Sequence, residues 1–410
     1  GMKKSFVAAS IAATLVLSTS SMLAHSAQTS STSEKWKNTL QEAKGQTVYF
    51  NAWGGADNIN DYIQWAADRI KDDYDVTLKQ VKLTDTSDAV NRVLAEKAAG
   101  KNTKGSIDLI WLNGENFRAM KDNHLLFGPF SQTLPSYTKY VDENARQSLT
   151  QDFGTPVDGM ESPWGMAQVI FMHDTATLSN PPKSIPELLT YAKAHPGRIT
   201  YPEPPQFLGS TFLKQALYEL SPHRKALSQP VDSVDFDKVT APMWAYLDEL
   251  HTVAWRSGES FPSSSEEMMR LLDDQEIDVA LSFDISAASV QIDKGNLPDT
   301  VRSYVFTGGT IGNTHFLAIP YNSGVKAGAQ VVANFLLSPE AQIKKQTPTV
   351  WGDLSVLSYT KLSKDEQAKF DALPRGIATL NIEELGKTLP EPHASWVGAL
   401  EKEWRQRYAQ

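Results

Sequence analysis

Acids and tryptophans are the side chains of this sequence best equipped for chemistry. It carries 48 acidic residues, eight histidines, ten tryptophans and no cysteine. Without cysteine there are no disulfides, thiolate metal sites or thiol nucleophiles. The histidines, from His25 to His393, are scattered, and none pair at metal-ligand spacing. A G-x-S-x-G elbow, H-E-x-x-H, a Walker A loop and a G-x-G-x-x-G after a strand are all absent. His173-Asp174 reads as a turn rather than a base with its orienting acid. Carboxylates brought together by folding can still make an acid–base pair. Trp53-Gly54-Gly55, followed by Asp57 and Asn58, offers a flat ring, close backbone approach and an acid. The same residues serve equally as a tight turn with a helix cap. Asn113-Gly114-Glu115-Asn116 carries the same two readings.

These residues need elements to hold them, and the apolar periodicity supplies candidates. Thr47 to Asn51 reads as a strand, followed by a helix with Ile59, Tyr62, Ile63, Ala66 and Ile70 on one face. Val76 to Leu83 is a second strand. Val90, Val93, Leu94 and Ala98 stripe a helix opened by Ser87 and closed by Gly100. Ile107 to Leu112 is almost wholly apolar, as a strand buried on both faces must be. Ser184/Glu187, Ser264/Glu267 and Ser363/Glu366 have capping-box spacing. Arg198 to Tyr201 reads as a short strand, and Gly209 or Ser210 as the cap of the helix after it. Val279 to Phe283 and Phe316 to Ile319 are further strands, and Ala327 to Leu337 is a helix. This alternation predicts an α/β protein with largely parallel sheets.

Location and partners follow from the ends and the charge. Lys3 and Lys4, the apolar run Phe6 to Leu17, and Ala24-x-Ser26 before Ala27 make a cleavable secretory signal over residues 1–26. About a dozen apolar residues cannot span a bilayer, which takes ~20. With no cysteine to acylate, the exported chain is expected to be free in its compartment. The formal net charge is −9, and loss of Lys3 and Lys4 makes the remainder more acidic. Such a surface argues against nucleic acid and anionic lipid as partners.

The ordered segments also carry a resemblance. GSIDLIWLNGENFRAMKDNHLL, SPWGMAQVIFMHD, IPELLTYA, EEMMRLLDDQEIDVALSFD, HFLAIPYNSG and VANFLLSPEAQ follow one another as in cluster-type periplasmic solute-binding proteins. Within that family the sequence is most similar to the YnjB-type receptors, and AGKNTKGSIDLI resembles receptors for thiamine, polyamines and ferric iron. Ferric-iron receptors of this class use adjacent tyrosines, which this sequence lacks, so iron is set aside. The resemblance implies a two-lobed type II periplasmic-binding fold, with lobe 1 at 34–165 and 283–313 and lobe 2 at 166–282 and 314–410. Crossings are expected near Trp164 to Ile170, Leu281 to Asp284 and Asn313 to Leu317, with Gly165 and Gly312 absorbing rotation as an open cleft closes.

Ligands of such sheets bind where strand ends meet helix N-termini. The implied contacts are Trp53, Asp57, Asn58, Asn113 and Glu115 from the first lobe, with Trp164 as an aromatic platform at the crossover. From the second come Phe207, Ser210 and Thr211 at a helix start, Asp284 as the acid, Ser286, and Asn313 before the last crossing. The implied function is a monomeric periplasmic receptor handing a small polar solute to an inner-membrane ABC permease, with no cofactor, metal or catalytic residue. Tryptophan beside acid suits a cation, thiamine-like or a polyamine. The rival is an exported carboxylate-based hydrolase or transferase on the same fold.

Overall fold

A computed structural model describes residues 33–409, and the expected leader lies outside the described residues. Helix α1 (33–43) leads into β1 (Thr47–Trp53), α2 (Asp57–Tyr74), β2 (Thr77–Leu83), α3 (Ser87–Ala98), β3 (Leu109–Leu112) and α4 (Gly114–Asp122). β1 pairs in parallel with β2 from Thr47↔Thr77 to Trp53↔Leu83, and with β3 through Phe50↔Leu109. Strand alternation turns Val48, Phe50 and Ala52 toward the apolar stripe of α2. Ile110 and Leu112 face the other way, into a smaller core with Val90, Val93, Phe117 and Met120 of α3 and α4. Covered on both faces, β3 had to be apolar throughout.

After α5 (Pro135–Tyr140) and the hairpin β4 (Gln151–Asp152)–β5 (Thr155–Pro156), β6 (Ser162–Gln168) runs through Val169 into β7 (Ile170–Asp174) and so from one sheet to another. Helices α6 (Ile185–Ala194), α7 (Phe207–Leu220), α8 (Phe236–Val253) and α9 (Ser265–Asp273) precede β8 (Ala280–Ser282), α10 (Ala287–Asp293) and β9 (Val301–Tyr304). β7 lies between β8 and β9, antiparallel to both. At the centre of this second lobe, α7 is buried continuously from Leu208 to Tyr218.

β10 (Thr310–Ala318) makes the return crossing, paired with β6 along its length and with β3 at its end. Its start is anchored in the second lobe: Ile311 N–H donates to Gln215 Oε1 (3.0 Å), and Gln168 Nε2 donates to Thr310 Oγ1 (3.2 Å). α11 (Lys326–Leu336), α12 (Pro339–Gln346) and α13 (Lys364–Asp371) pack on the first lobe, where Tyr62 Oη donates to Ala341 O at 2.8 Å. The chain then crosses again: Ser303 N–H donates to Ala378 O at 3.2 Å. α14 (Ile382–Leu385), β11 (Thr388–Leu389) beside Thr310–Ile311, and α15 (Trp396–Tyr408) against α7 complete the second lobe.

Several expectations need correction. Only the first sheet has a parallel core; the second is antiparallel throughout. Residues 198–201 form no strand, because the neighbouring backbone offers single contacts, such as Asp278 N–H to Arg198 O, rather than a ladder. The first and last crossings stand where expected, but 281–284 stays in the second lobe, since β8 pairs with β7 and α10 packs on β9. Residues 301–304 therefore belong to lobe 2, and α11 to α13 to lobe 1, the reverse of the division expected for 283–313 and 314–410. Helix α7 begins a turn early, with Gln206 Oε1 accepting from Leu208 N and Gly209 N. The box at Ser363/Glu366 is complete. At Ser184 and Ser264 the serine accepts from the third residue, but the glutamate turns to the amide one position further back.

Candidate functional site

Where β3 and β10 leave the first sheet, aromatic rings make a wall between the lobes. Trp164 is the buried centre, 0% exposed, with Trp111 5.2 Å away, Trp351 5.1 Å and His315 5.6 Å, all edge-on. Phe50 and Tyr62 back it from the core. Trp111 and Trp351, half-buried, are the outer layer. The His315 imidazole stacks on Trp351 at 5.8 Å and 28°.

A charged pair underlies this wall. Asp353 Oδ2 lies 2.6 Å from His315 Nε2 and 2.9 Å from Lys345 Nζ. Lys345, whose side chain is 0% exposed, also donates to the carbonyls of Asp353 (3.2 Å) and Leu354 (2.9 Å). Burial alone would raise the Asp353 carboxyl, but His315 and Lys345 hold it below its ordinary value. Burial lowers the Lys345 ammonium, and Asp353 opposes that shift. The turn at Gly352 needs φ +81°, a conformation natural to glycine.

The second lobe presents Phe207 and Phe283, rings 5.4 Å apart, and the turn Asp284–Ser286. Asp284 Oδ1 accepts from Ser286 N (2.9 Å). Ser286 Oγ lies 3.9 Å from where a Cβ on Gly352 would stand, so this turn meets the Trp351–Asp353 loop across the lobes. Water reaches Asp284, yet surrounding protein raises its carboxyl, the Ser286 amide opposes the shift, and the charge of Asp353 adds to it. Asp284 has no cationic partner within 4 Å among the described residues, whereas Asp353 pairs with the Lys345 ammonium.

The residues expected at the site divide unevenly. Trp53 is 39% exposed, its ring folded over Gly55, where a Cβ would come within 2.3 Å of it. Asp57 and Asn58 are exposed in the first turn of α2; neither caps it, and Asn60 Nδ2 secures the turn through Gly54 O. Asn113 donates to Thr314 O (3.3 Å), while Asp152 Oδ1 accepts from Gly114 N to cap α4. Glu115 is exposed and pairs with Arg118 at 3.5 Å. Ser210 and Thr211 point away into the protein: Ser210 Oγ donates to Glu401 Oε1 (2.6 Å) and Thr211 Oγ1 to Phe207 O (2.9 Å). Asn313, half-buried, sits against Glu391, which pairs with Lys214. Asp284 and Ser286 are thus brought to the aromatic wall, and Trp164 lies behind it rather than on it.

Sequence reasoning missed Trp111, His315, Lys345, Trp351 and Asp353. Trp351-Gly352-Asp353 repeats the aromatic, glycine and acid order noted at Trp53, and that signal could have found it. His173 and Asp174 do not form the expected turn: they are the buried last residues of β7, paired with Arg302 and Val301, where His173 Nδ1 meets Leu178 O (2.7 Å) and Asp174 Oδ1 accepts from Ala176 N and Thr300 Oγ1.

Residues 65–369 match the family model of bacterial extracellular solute-binding proteins. The chain is 45% identical over 373 residues to protein YnjB of Escherichia coli strain K12, covering 91% of this chain and 94% of that one. Among solved structures it resembles the bacterial solute receptor AcbH, described as exclusive for β-D-galactopyranose (TM-score 0.63, 12% identity, covering 90% and 94%). It also resembles the spermidine/putrescine ABC transporter substrate-binding protein PotD of Streptococcus pneumoniae (TM-score 0.56, 14% identity, covering 88% and 99%). At these identities the likeness is one of fold: the two-lobed type II arrangement.

Proposed function

The chain belongs to the bacterial extracellular solute-binding proteins, and from that membership we propose that it is the exported receptor of an ABC importer for a small cationic solute. The solute lies between the Trp111–Trp351 wall of the first lobe and the Asp284–Ser286 turn of the second. It is then handed, as a thiamine-like or polyamine cargo, to an inner-membrane permease. One observation carries the ligand class: the charge of Asp353 acts on Asp284 across the lobes, and of the two only Asp353 has an ammonium partner among the described residues. A cation entering beside Trp351 would answer the other and lie on an aromatic face, a contact worth ~0.5–2 kcal/mol. The family also explains export, and no helix of the described residues is long and apolar enough to cross a membrane.

The rival hydrolase needs two carboxylates free to face substrate. Asp353 is committed to Lys345 and His315, and the separate acid pair Asp152 and Glu161 is 1% and 0% exposed. The reading as a receptor is therefore favoured. Calorimetry with putrescine, spermidine, thiamine, galactose and a zwitterionic amino acid tests it. Saturable binding of a cation, weakened in Asp284→Asn, is expected; binding of the neutral sugar alone would reject the ligand class.

A further inference from the structure

The lobes also touch where no solute is needed. The tip of the β4–β5 hairpin, Phe153-Gly154, reaches out of the first lobe into the second. Ala394 N–H donates to Phe153 O at 3.1 Å, and a Cβ on Gly154 would stand 2.9 Å from His393 Cα. The Phe153 ring lies beneath the Lys214 ammonium, 5.2 Å from its centroid. Lys214 is paired with both oxygens of Glu391 at 3.3 and 3.4 Å, the two side chains being 3% and 2% exposed. The ring thus helps seal a buried ion pair belonging to the other lobe. Both tip residues have positive φ, +46° and +81°, so the tip holds a tight reversal.

Beside this tip, at the last residue of β4, sits a carboxyl pair. Asp152 is 1% exposed and Glu161 0%. Asp152 Oδ1 accepts from Gly114 N, but Asp152 Oδ2 and both Glu161 oxygens find no donor among the described residues. The two carboxyls interact directly, and two charges so placed cannot both persist without water. Across the lobe boundary Glu391 adds a third acid, and Lys121 of α4 is the cation acting on Glu161. Lys214 is engaged by Glu391, and His393, beside the tip, faces Arg118, Glu115 and Asp122 of α4.

We infer that the Phe153–Gly154 tip is a latch between the lobes, engaged when the Asp152–Glu161 pair holds its protons and released when the pair ionises. Ionisation buries a further negative charge beside Glu391, and only hydration, by withdrawing the hairpin from the lobe boundary, relieves it. The sign follows from linkage. Burial raises both carboxyls, Asp152 to about 7, so the latched form holds protons that a hydrated carboxyl sheds near pH ~4. Latching is therefore strongest at the acid end and weakens as pH rises toward 7. Burial lowers the imidazole of His393.

The cysteine-free chain permits a direct test. Spin labels at Asp61→Cys on α2 and Lys238→Cys on α8, both exposed, report the separation of the lobes by double electron–electron resonance without solute. The expected result is a short, narrow distance near pH 5 and a longer, broader one near pH 8. Phe153→Ala, or Gly154→Val, which collides with His393, should give the long distance at both pH values. Asp152→Asn with Glu161→Gln should give the short one at both. An unchanged wild-type distance across pH, or wild-type behaviour in folded Phe153→Ala and Gly154→Val, overturns the latch. A neutral pair that still opens at high pH overturns the role of the carboxyls.

Discussion

Asp353→Ala should be among the more destabilising single changes at the aromatic wall. The substitution strips the Lys345 ammonium of its only carboxylate partner among the described residues and leaves two backbone carbonyls, at 3.2 and 2.9 Å, and the Trp351 ring, 5.7 Å away. That ammonium is wholly buried and cannot turn to water. Removing one member of a buried pair costs about 3–5 kcal/mol, against at most ~1 kcal/mol for an exposed one. At roughly 2 °C per kcal/mol for a large domain, the solute-free protein should melt about 6–10 °C lower. Thermal unfolding followed by circular dichroism near neutral pH measures this. Adding Lys345→Met to Asp353→Leu should recover most of the loss, because two apolar side chains need no counter-charge. The Asp353 carboxyl is held below its ordinary value, so its contribution is complete above the ordinary carboxylate range and drains away as pH falls through the folded value. A loss below about 1 kcal/mol, or a double variant as unstable as the single, would falsify the account of Asp353 as the indispensable counter-charge.

Three other outcomes are expected. Asp284→Asn should weaken a cationic solute by about tenfold in calorimetry while the melting temperature of the free protein stays within ~1 °C, since the carboxylate has no cationic partner to lose. Gly165→Ala should lower the urea midpoint by an amount equivalent to about 1–3 kcal/mol, because its Cβ would lie 1.8 Å from Asp353 Oδ2 and 2.4 Å from His315 Nε2. His251, hydrogen-bonded to Tyr201 at 2.6 Å, is driven by burial to about 4. The unfolded chain therefore binds the extra proton between pH ~6.5 and 4, and stability present above that window is lost on acidification, by up to about 3 kcal/mol. Urea titrations at both ends of the window should show a smaller acid loss in His251→Phe.

Much of the architecture was legible because local rules and tertiary packing agree. The stripe of α2, the apolar β3 and the Ser363/Glu366 box each satisfy one element's own chemistry, and each formed. The failures lie where a distant partner decides. Gln206 is a poor cap by type, yet its side chain reaches Leu208 N and Gly209 N, so the start expected at Gly209 or Ser210 was superseded. Nothing in Ala327 to Leu337 says which lobe the helix joins; α2, α5 and β1 settle that. Asn113 has the composition of a cap, but Asp152, 38 residues from Gly114, takes the role. The wall residues His315 and Asp353 come together only because β10 crosses between lobes and the turn at Gly352 brings Asp353 back.

Trp164 and Gly165 show why finding the right residues is not yet finding their roles. An aromatic beside a glycine at a crossover suggests an exposed platform and a flexible joint. In the folded chain the tryptophan is fully enclosed, and the glycine is required because Asp353 and His315 occupy the space of a Cβ. Its rings of contact make Trp164 the footing on which Trp111, Trp351 and His315 are oriented. Flexibility must then come from elsewhere along the crossings. β10 is clamped at Ile311 by Gln215 in one lobe and at Phe316 by Leu112 in the other. Between those clamps Gly312 to His315 pair with β6 alone, and β10 shifts register between His315 and Phe316, where the ladder is interrupted. The same short segment carries Asn313 toward Glu391 and His315 toward Asp353.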